Sequence, residues 1–120
     1  MGEVNNLDLD KVLEVIKDFP VKPRRNRLIV TVNVEEADGD LVLTNGQFAE
    51  TQYVVAVAEN IEDIKPGERV LLDIEKMMEF EEASENSHER IGRIKINPIE
   101  VDGVVYALIS EYVVLAIDAR

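Results

Sequence analysis

The sequence predicts a small all-β domain with one short helix at its N-terminal end. From residue 28 onward, short segments rich in Val, Ile and Leu are separated by turn signals such as Pro66-Gly67 and Asp102-Gly103, a spacing typical of a barrel or sandwich. Helical periodicity is confined to the stretch before Pro20. A chain of 120 residues that is 46% hydrophobic is long enough for one domain with its own core.

The N-terminal stretch has the pattern of an amphipathic helix. Leu9, Val12, Leu13 and Ile16 follow the i, i+3, i+4, i+7 spacing that places apolar side chains on one helix face. The Phe19-Pro20 pair ends the pattern, because proline restricts the residue before it and lacks a backbone N–H. We therefore divide the chain into a helical extension, residues 1–20, and a β body, residues 21–120.

The strands of the body are predicted from β-branched content and alternation. They cover residues 28–34, 41–44, 53–58, 69–74, 91–99, 104–109 and 113–117. The acidic run at about 76–90 interrupts this pattern, and we interpret it as a solvated insertion with room for one helical turn.

Charge and composition limit the classes of partner. The net charge of −12 repels nucleic-acid backbones and anionic lipid surfaces, so we expect neither as a partner. Without cysteine the chain has no disulfide or thiolate metal site, which suits a reducing compartment and predicts a cytoplasmic protein. Neither a secretory signal nor a stretch of roughly 20 apolar residues that could span a membrane is predicted.

No catalytic set is predicted, and neither is a cofactor or a metal. The single histidine, His88, lies in the acidic run without a nucleophile to activate. The isolated glycines do not form a phosphate-binding loop, and the acidic run lacks the ligand spacing of a calcium loop. The cluster Arg24, Arg25 and Arg27 is interpreted as ion pairing with carboxylates within or between subunits.

Five segments of the body resemble the GroES-type co-chaperonins in the order that this family shows. Residues 22–30 (KPRRNRLIV) open the first strand, and residues 38–44 (DGDLVLT) follow as a glycine-led aliphatic triplet before threonine. Residues 51–60, 64–70 and 110–117 are similar to the later strands and to one turn of the family. The likeness covers about 100 residues, counted from the start of the β body.

The resemblance implies a small, irregular β-barrel whose copies form a homo-heptameric ring. Such a ring caps a GroEL-type chaperonin in its nucleotide-bound state and helps to enclose folding client proteins. The first and last strands of the body are then expected to pair between subunits, at Leu28, Ile29, Val30, Leu115, Ala116 and Ile117.

The resemblance also assigns a chaperonin-binding loop. The aliphatic triplet Leu41, Val42 and Leu43 is expected to lie in a groove of the chaperonin, flanked by Gly39, Asp40 and Thr44. A second interpretation remains open: with the following Asn45-Gly46 turn signal, the triplet also suits an ordinary hairpin strand whose leucines face the core.

Three departures from the family pattern are visible. Residues 58–65 leave almost no room for the hairpin that roofs the ring, which suggests an open centre similar to that of some phage-encoded members. The N-terminal helix and the acidic insertion are additions. A competing hypothesis from another class is a structural or virion-assembly protein that uses the same barrel as an interaction module, with the helix as its anchor.

Overall fold

Eight strands, two α-helices and one 3₁₀ helix are found in the residues that the computed structural model describes, which are 6–34, 48–82, 90–94 and 96–118. The chain order is α1 (Leu9–Lys17), β1 (Arg27–Thr31), β2 (Thr51–Val57), β3 (Arg69–Leu72), α2 (Ile74–Met77), β4 (Met78–Glu82), β5 (Arg90–Ile94), β6 (Asn97–Val101), β7 (Val104–Ser110), the 3₁₀ helix (Glu111–Val113) and β8 (Val114–Asp118).

Helix α1 begins and ends where the sequence predicts. The Asp8 carboxylate accepts a hydrogen bond from the Lys11 N–H at 3.0 Å and caps the first turn, as short acidic side chains do at helix N-termini. The last helical residue is Lys17, three residues before Pro20.

The buried face of α1 differs from the predicted one. Val12 is fully buried, and Val15 and Ile16 are partly buried. Leu9 and Leu13, however, are 42% and 46% exposed. The helix contacts the sheet through Val12, Val15 and Ile16. The buried face is therefore rotated by part of a turn from the predicted apolar stripe.

Six strands form one antiparallel sheet in the order β6-β7-β1-β2-β3-β8. Pairing shifts in register between Ile29 and Val30 and again between Leu71 and Leu72, which are irregularities that bend a strand. Strands β1, β2, β3 and β7 all contribute to one apolar cluster, against which residues of β8 also pack. The sheet therefore curves around this cluster, and the prediction of a small all-β fold with a short N-terminal helix is confirmed.

A second apolar cluster covers the opposite face of the sheet. Ile29, Val55 and Tyr106 lie at its centre, and residues of α1 pack against them. Phe19 meets Tyr106 edge to face, with ring centroids 5.0 Å apart and planes at 83°, a favoured aromatic geometry. The appended helix is thus part of the folded body.

The acidic insertion is more ordered than predicted. Its helical turn is present as α2, but β4 and β5 then pair as a two-stranded hairpin, with Glu79 opposite Arg93 and Glu82 opposite Arg90. Strand β4, at residues 78–82, was not predicted, whereas β5 coincides with the start of the strand predicted for residues 91–99. The signal that was missed is the alternation of apolar and acidic residues that starts at Met78.

Gly67 offers a test of how α1 packs on the body. It has a φ of +94°, and a Cβ at this position would lie 3.3 Å from Leu13 Cδ2. Gly67→Ala is expected to lower the free energy of unfolding by about 1 to 2 kcal/mol, because it combines backbone strain with crowding of the helix. Denaturant unfolding measures the change.

Gly103 provides the matched control for Gly67. Its φ is +80°, but nothing lies within 4 Å of a Cβ placed there. Gly103→Ala therefore reports the backbone strain alone and is expected to be the milder of the two substitutions. Equal losses at both positions would contradict the packing of Leu13 over Gly67.

Candidate protein-interaction site

Two chain stems frame the segment that contains the predicted aliphatic triplet. Val34 forms an isolated antiparallel bridge with Phe48, and the Ala49 N–H donates to the Asn33 carbonyl at 3.0 Å. Residues 35–47 between the stems lie outside the described residues, and with them the predicted binding residues and flanks, namely Gly39, Asp40, Leu41, Val42, Leu43 and Thr44. The structure describes the base of the predicted loop and leaves the choice between loop and hairpin strand untested.

The two stems are joined by the fully buried carboxamide of Gln52. Its Oε1 accepts hydrogen bonds from Thr31 Oγ1 and from the Asn33 N–H, both at 2.8 Å. Its Nε2 donates to the Asn33 carbonyl at 2.8 Å and to the Ala49 carbonyl at 3.0 Å. Thr31 Oγ1 in turn accepts from the Tyr53 N–H at 3.0 Å. Because buried polar groups lose free energy when unpaired, this network fixes where the 35–47 segment leaves the body.

The N-terminal arm is bound to the same stem. The Asn33 carboxamide accepts from the Leu7 N–H and donates to the Leu7 carbonyl, both at 2.9 Å. The Asn6 side chain makes the equivalent pair with the backbone of Val34, at 2.8 and 3.0 Å. Residues before α1 therefore reinforce the stem. Nothing in the sequence indicates this connection, since Asn33 and Asn6 bind backbone groups that lie 26 and 28 positions away along the chain.

The last strand, β8, is an edge strand with exposed apolar side chains. Among the described residues it pairs with β3 alone. Leu115 is 58% exposed, and Tyr112, in the preceding 3₁₀ helix, is 70% exposed. An exposed apolar edge is a template for pairing with another chain.

The opposite edge strand, β6, is protected. It carries Pro98, which has no backbone N–H, and the exposed acid Glu100, two features that discourage pairing at an edge. Of the two edges of the sheet, β8 is therefore the one suited to self-association.

An ion pair holds β8 on the body. Arg69 Nε donates to Asp118 Oδ2 at 2.9 Å, and a second guanidinium nitrogen of Arg69 contacts the same oxygen. The hydrogen bond and the charge of Asp118 raise the pKa of the Arg69 guanidinium, which stays charged. This contact fixes the end of β8 to β3 and leaves the outer edge of β8 open.

The predicted subunit interface is only partly compatible with this arrangement. Leu115 and Ala116 are exposed on the β8 edge, and Ile117 is partly buried. Leu28, Ile29 and Val30, in contrast, are fully buried, and β1 pairs with β2 on one side and β7 on the other. The backbone groups of these three residues already have partners within the chain, and their role at a subunit interface stays a prediction.

The described part of the chain does not meet the requirements of a metal site or of a membrane-spanning helix. None of its residues form a group of three or more histidines and carboxylates able to hold a metal, and none of its helices is long and apolar enough to cross a membrane. His88 lies outside the described residues. The described features suited to binding another protein are the loop stems and the β8 edge.

Comparison with known proteins gives no assignment. No family model matches the chain, and no curated protein matches it. A functional proposal for this chain therefore depends on its own residues and geometry, together with the resemblance carried by residues 22–30 and 38–44.

Proposed function

We propose that this protein is a non-catalytic, self-associating co-chaperonin that caps a chaperonin ring in its nucleotide-bound state and helps to enclose folding client proteins. The observation that carries the proposal is the pair of stems joined by Gln52, which position the segment containing Leu41, Val42 and Leu43 on an all-β body. The free apolar edge of β8 supports self-association. We place this activity in the cytoplasm, because the chain has no cysteine.

The energetics of a single loop suit reversible binding. Burying three aliphatic side chains contributes about 1.5 to 3 kcal/mol each. Ordering the loop costs about 1 kcal/mol or more per residue, so one loop binds weakly. Several loops on one ring convert later contacts into intramolecular ones and raise the overall affinity. A lid built this way is stable as a whole, while each of its contacts remains easy to break.

The connection between β2 and β3 supports a ring with an open centre. Residues 58–68 join these strands without an intervening hairpin. Ala58, Ile61 and Ile64 in this connection are buried in the main core. This connection is therefore packed against the body, which supports an open centre of the kind that the resemblance to roofless phage-encoded members implies.

The double substitution Leu41→Ser/Leu43→Ser tests the proposal. We expect it to abolish binding to a GroEL-type chaperonin in the presence of ATP, because the loop loses most of its apolar contact area, and to leave the melting temperature and self-association unchanged. Co-elution on a sizing column and thermal unfolding provide the two measurements.

Leu9→Ser/Leu13→Ser is the matched control for the loop variant. It also replaces two leucines, here 42% and 46% exposed on α1, and should retain chaperonin binding. A large fall in the melting temperature of the loop variant would instead show that Leu41 and Leu43 are core residues of a hairpin strand.

The exposed leucines of α1 favour a second candidate function. Leu9 and Leu13 lie one helical turn apart on α1, and both are partly exposed even though Leu13 also packs over Gly67. Their exposed parts suit attachment to a larger assembly. A structural or virion-assembly protein would use this face as its anchor. Such a protein would be monomeric alone and would not bind a chaperonin with ATP.

A further inference from the structure

Four positively charged side chains lie close together just before β1 and at its first residue. We call it the basic turn, and its members are Lys22, Arg24, Arg25 and Arg27, all exposed. Of these four residues, Lys22 alone makes an ion pair with a described residue, a solvent-exposed contact with Glu59 at 3.0 Å. Three guanidinium groups without a described carboxylate partner are unexpected on a chain of net charge −12.

The basic turn is held in a fixed conformation. Asn26 has a φ of +64°, and its backbone N–H donates to Asn60 Oδ1 at 3.0 Å. The Asn60 amide donates back to Asn26 Oδ1 at 2.6 Å. The Asn26 carbonyl also accepts from the Glu111 N–H at 2.8 Å. The arginines are therefore presented from a rigid turn, which lowers the entropy lost when they bind a partner.

A groove with an apolar floor lies beside the basic turn. Its volume is about 450 Å³. Val21, Pro23, Ile99 and Leu108 supply its apolar walls, and the four cations of the basic turn border it. Apolar walls with a basic rim suit a peptide segment that alternates acidic and apolar residues, since arginine binds carboxylates through paired hydrogen bonds.

The β4–β5 hairpin is rich in acidic residues, which complement the positive charge of the basic turn. No other described strand pairs with it. Residues 78–94 contain five glutamates and two arginines, with Phe80 between two of the glutamates. Among the described residues β4 and β5 pair only with each other. An isolated two-stranded hairpin is marginally stable in water, so this hairpin gains from a partner surface.

The position of the hairpin base favours binding of the hairpin to the basic turn of a second copy over binding to the basic turn of its own chain. Met78, where β4 begins, lines one pocket together with Arg27. Five paired residues span about 17 Å, at 3.3 to 3.4 Å per residue. The last described pair of the hairpin, Glu82 and Arg90, is thus carried away from the hairpin base that lies beside Arg27.

We propose that the basic turn and its groove bind the acidic β4–β5 hairpin of a neighbouring copy. Because the two surfaces differ, the contact is head-to-tail and closes into a ring when the rotation between copies allows it. The inference rests on the self-association in the proposed function, to which it adds a specific contact.

Cysteine cross-linking tests the contact directly, because the chain contains no cysteine of its own. The single variants Arg25→Cys and Glu85→Cys are mixed and oxidised. We expect a disulfide-linked dimer of the two variants on a non-reducing gel. Glu62→Cys, at an exposed acidic position in the 58–68 connection, replaces Glu85→Cys as the matched control and should give at least tenfold less dimer.

Intrachain binding is the alternative that this design must separate. The double variant Arg25→Cys/Glu85→Cys should oxidise to linked dimers and higher species. If it instead forms a disulfide within one chain, or if the mixed single variants link no better than the Glu62→Cys control, the inference is overturned.

Charge reversal gives a second, independent readout. Arg24→Glu/Arg25→Glu should weaken self-association at least tenfold, and adding Glu81→Lys/Glu82→Lys in the same chain should restore it. No weakening, or no rescue, contradicts the proposed contact. Chaperonin binding is scored separately: a chain that cross-links and shows charge rescue but ignores chaperonin refutes the proposed function and leaves this contact standing.

Discussion

Replacing Gln52 by leucine is expected to lower the free energy of unfolding by about 3 kcal/mol or more. The leucine removes the acceptor of the Thr31 hydroxyl and of the Asn33 N–H, and the donor to the Ala49 carbonyl. An unpaired buried polar group costs about 1 to 3 kcal/mol, and Gln52 is fully buried. Denaturant unfolding at one protein concentration measures the loss, since self-association also contributes to stability.

Asn60→Ala is the control for this substitution. Asn60 is an exposed carboxamide that also makes two hydrogen bonds, both to Asn26. Because water replaces these partners, its removal should cost about 1 kcal/mol or less. If Gln52→Leu costs no more than Asn60→Ala, the network between the stems does not hold the base of the 35–47 segment.

Leu115→Lys is expected to convert the protein to a monomer with little effect on its fold. The side chain is 58% exposed, so the stability of one chain should change by about 0.5 kcal/mol. A lysine on an edge strand opposes pairing with another chain. Loss of the linked loops should weaken chaperonin binding by about 10² to 10⁴-fold, the range that avidity supplies. Sedimentation equilibrium and a chaperonin-binding assay measure the two effects.

Leu9→Lys is the control for the edge variant. It makes the same chemical change at an apolar residue of similar exposure, 42%, on α1. We expect it to assemble and bind like the unaltered chain. If Leu115→Lys still forms the same oligomer, the β8 edge is not the surface of self-association, whatever its exposure.

The fold class was accessible from sequence because its signals are local. The Asp102-Gly103 and Pro66-Gly67 turns are present where their dipeptides predict them, with Gly67 and Gly103 at positive φ. The boundaries of α1 follow from Asp8 and Pro20 in the same way. Each of these features depends on residues within a few positions of one another, so a single sequence is sufficient to find them.

The features that were missed depend on partners distant in sequence. Gln52 lies between Thr51 and Tyr53, just before the predicted strand at 53–58, and its burial makes sense only once Thr31 and Asn33 are placed beside it. The buried face of α1 depends on where the sheet lies, which the apolar spacing of Leu9 and Leu13 does not specify. The central place of Leu28–Val30 in the sheet was missed for the same reason, because strand order decides which edges are free.

The acidic insertion shows how charge can conceal a strand pattern. Its abundance of glutamate predicts solvation, and that expectation outweighed the alternation beginning at Met78. In the structure the two strands align acidic positions of β4 with basic positions of β5. Opposite charges on facing positions favour antiparallel pairing, so the charge pattern of both strands together carries the information that one strand alone does not.

The most direct test of the central claim is to mix the purified protein with a GroEL-type chaperonin, with and without ATP, and to follow both on a sizing column. We predict that the protein elutes with the chaperonin only when nucleotide is present, and that alone it elutes as an assembly of several copies. A monomer that elutes apart from the chaperonin under both conditions would contradict the account.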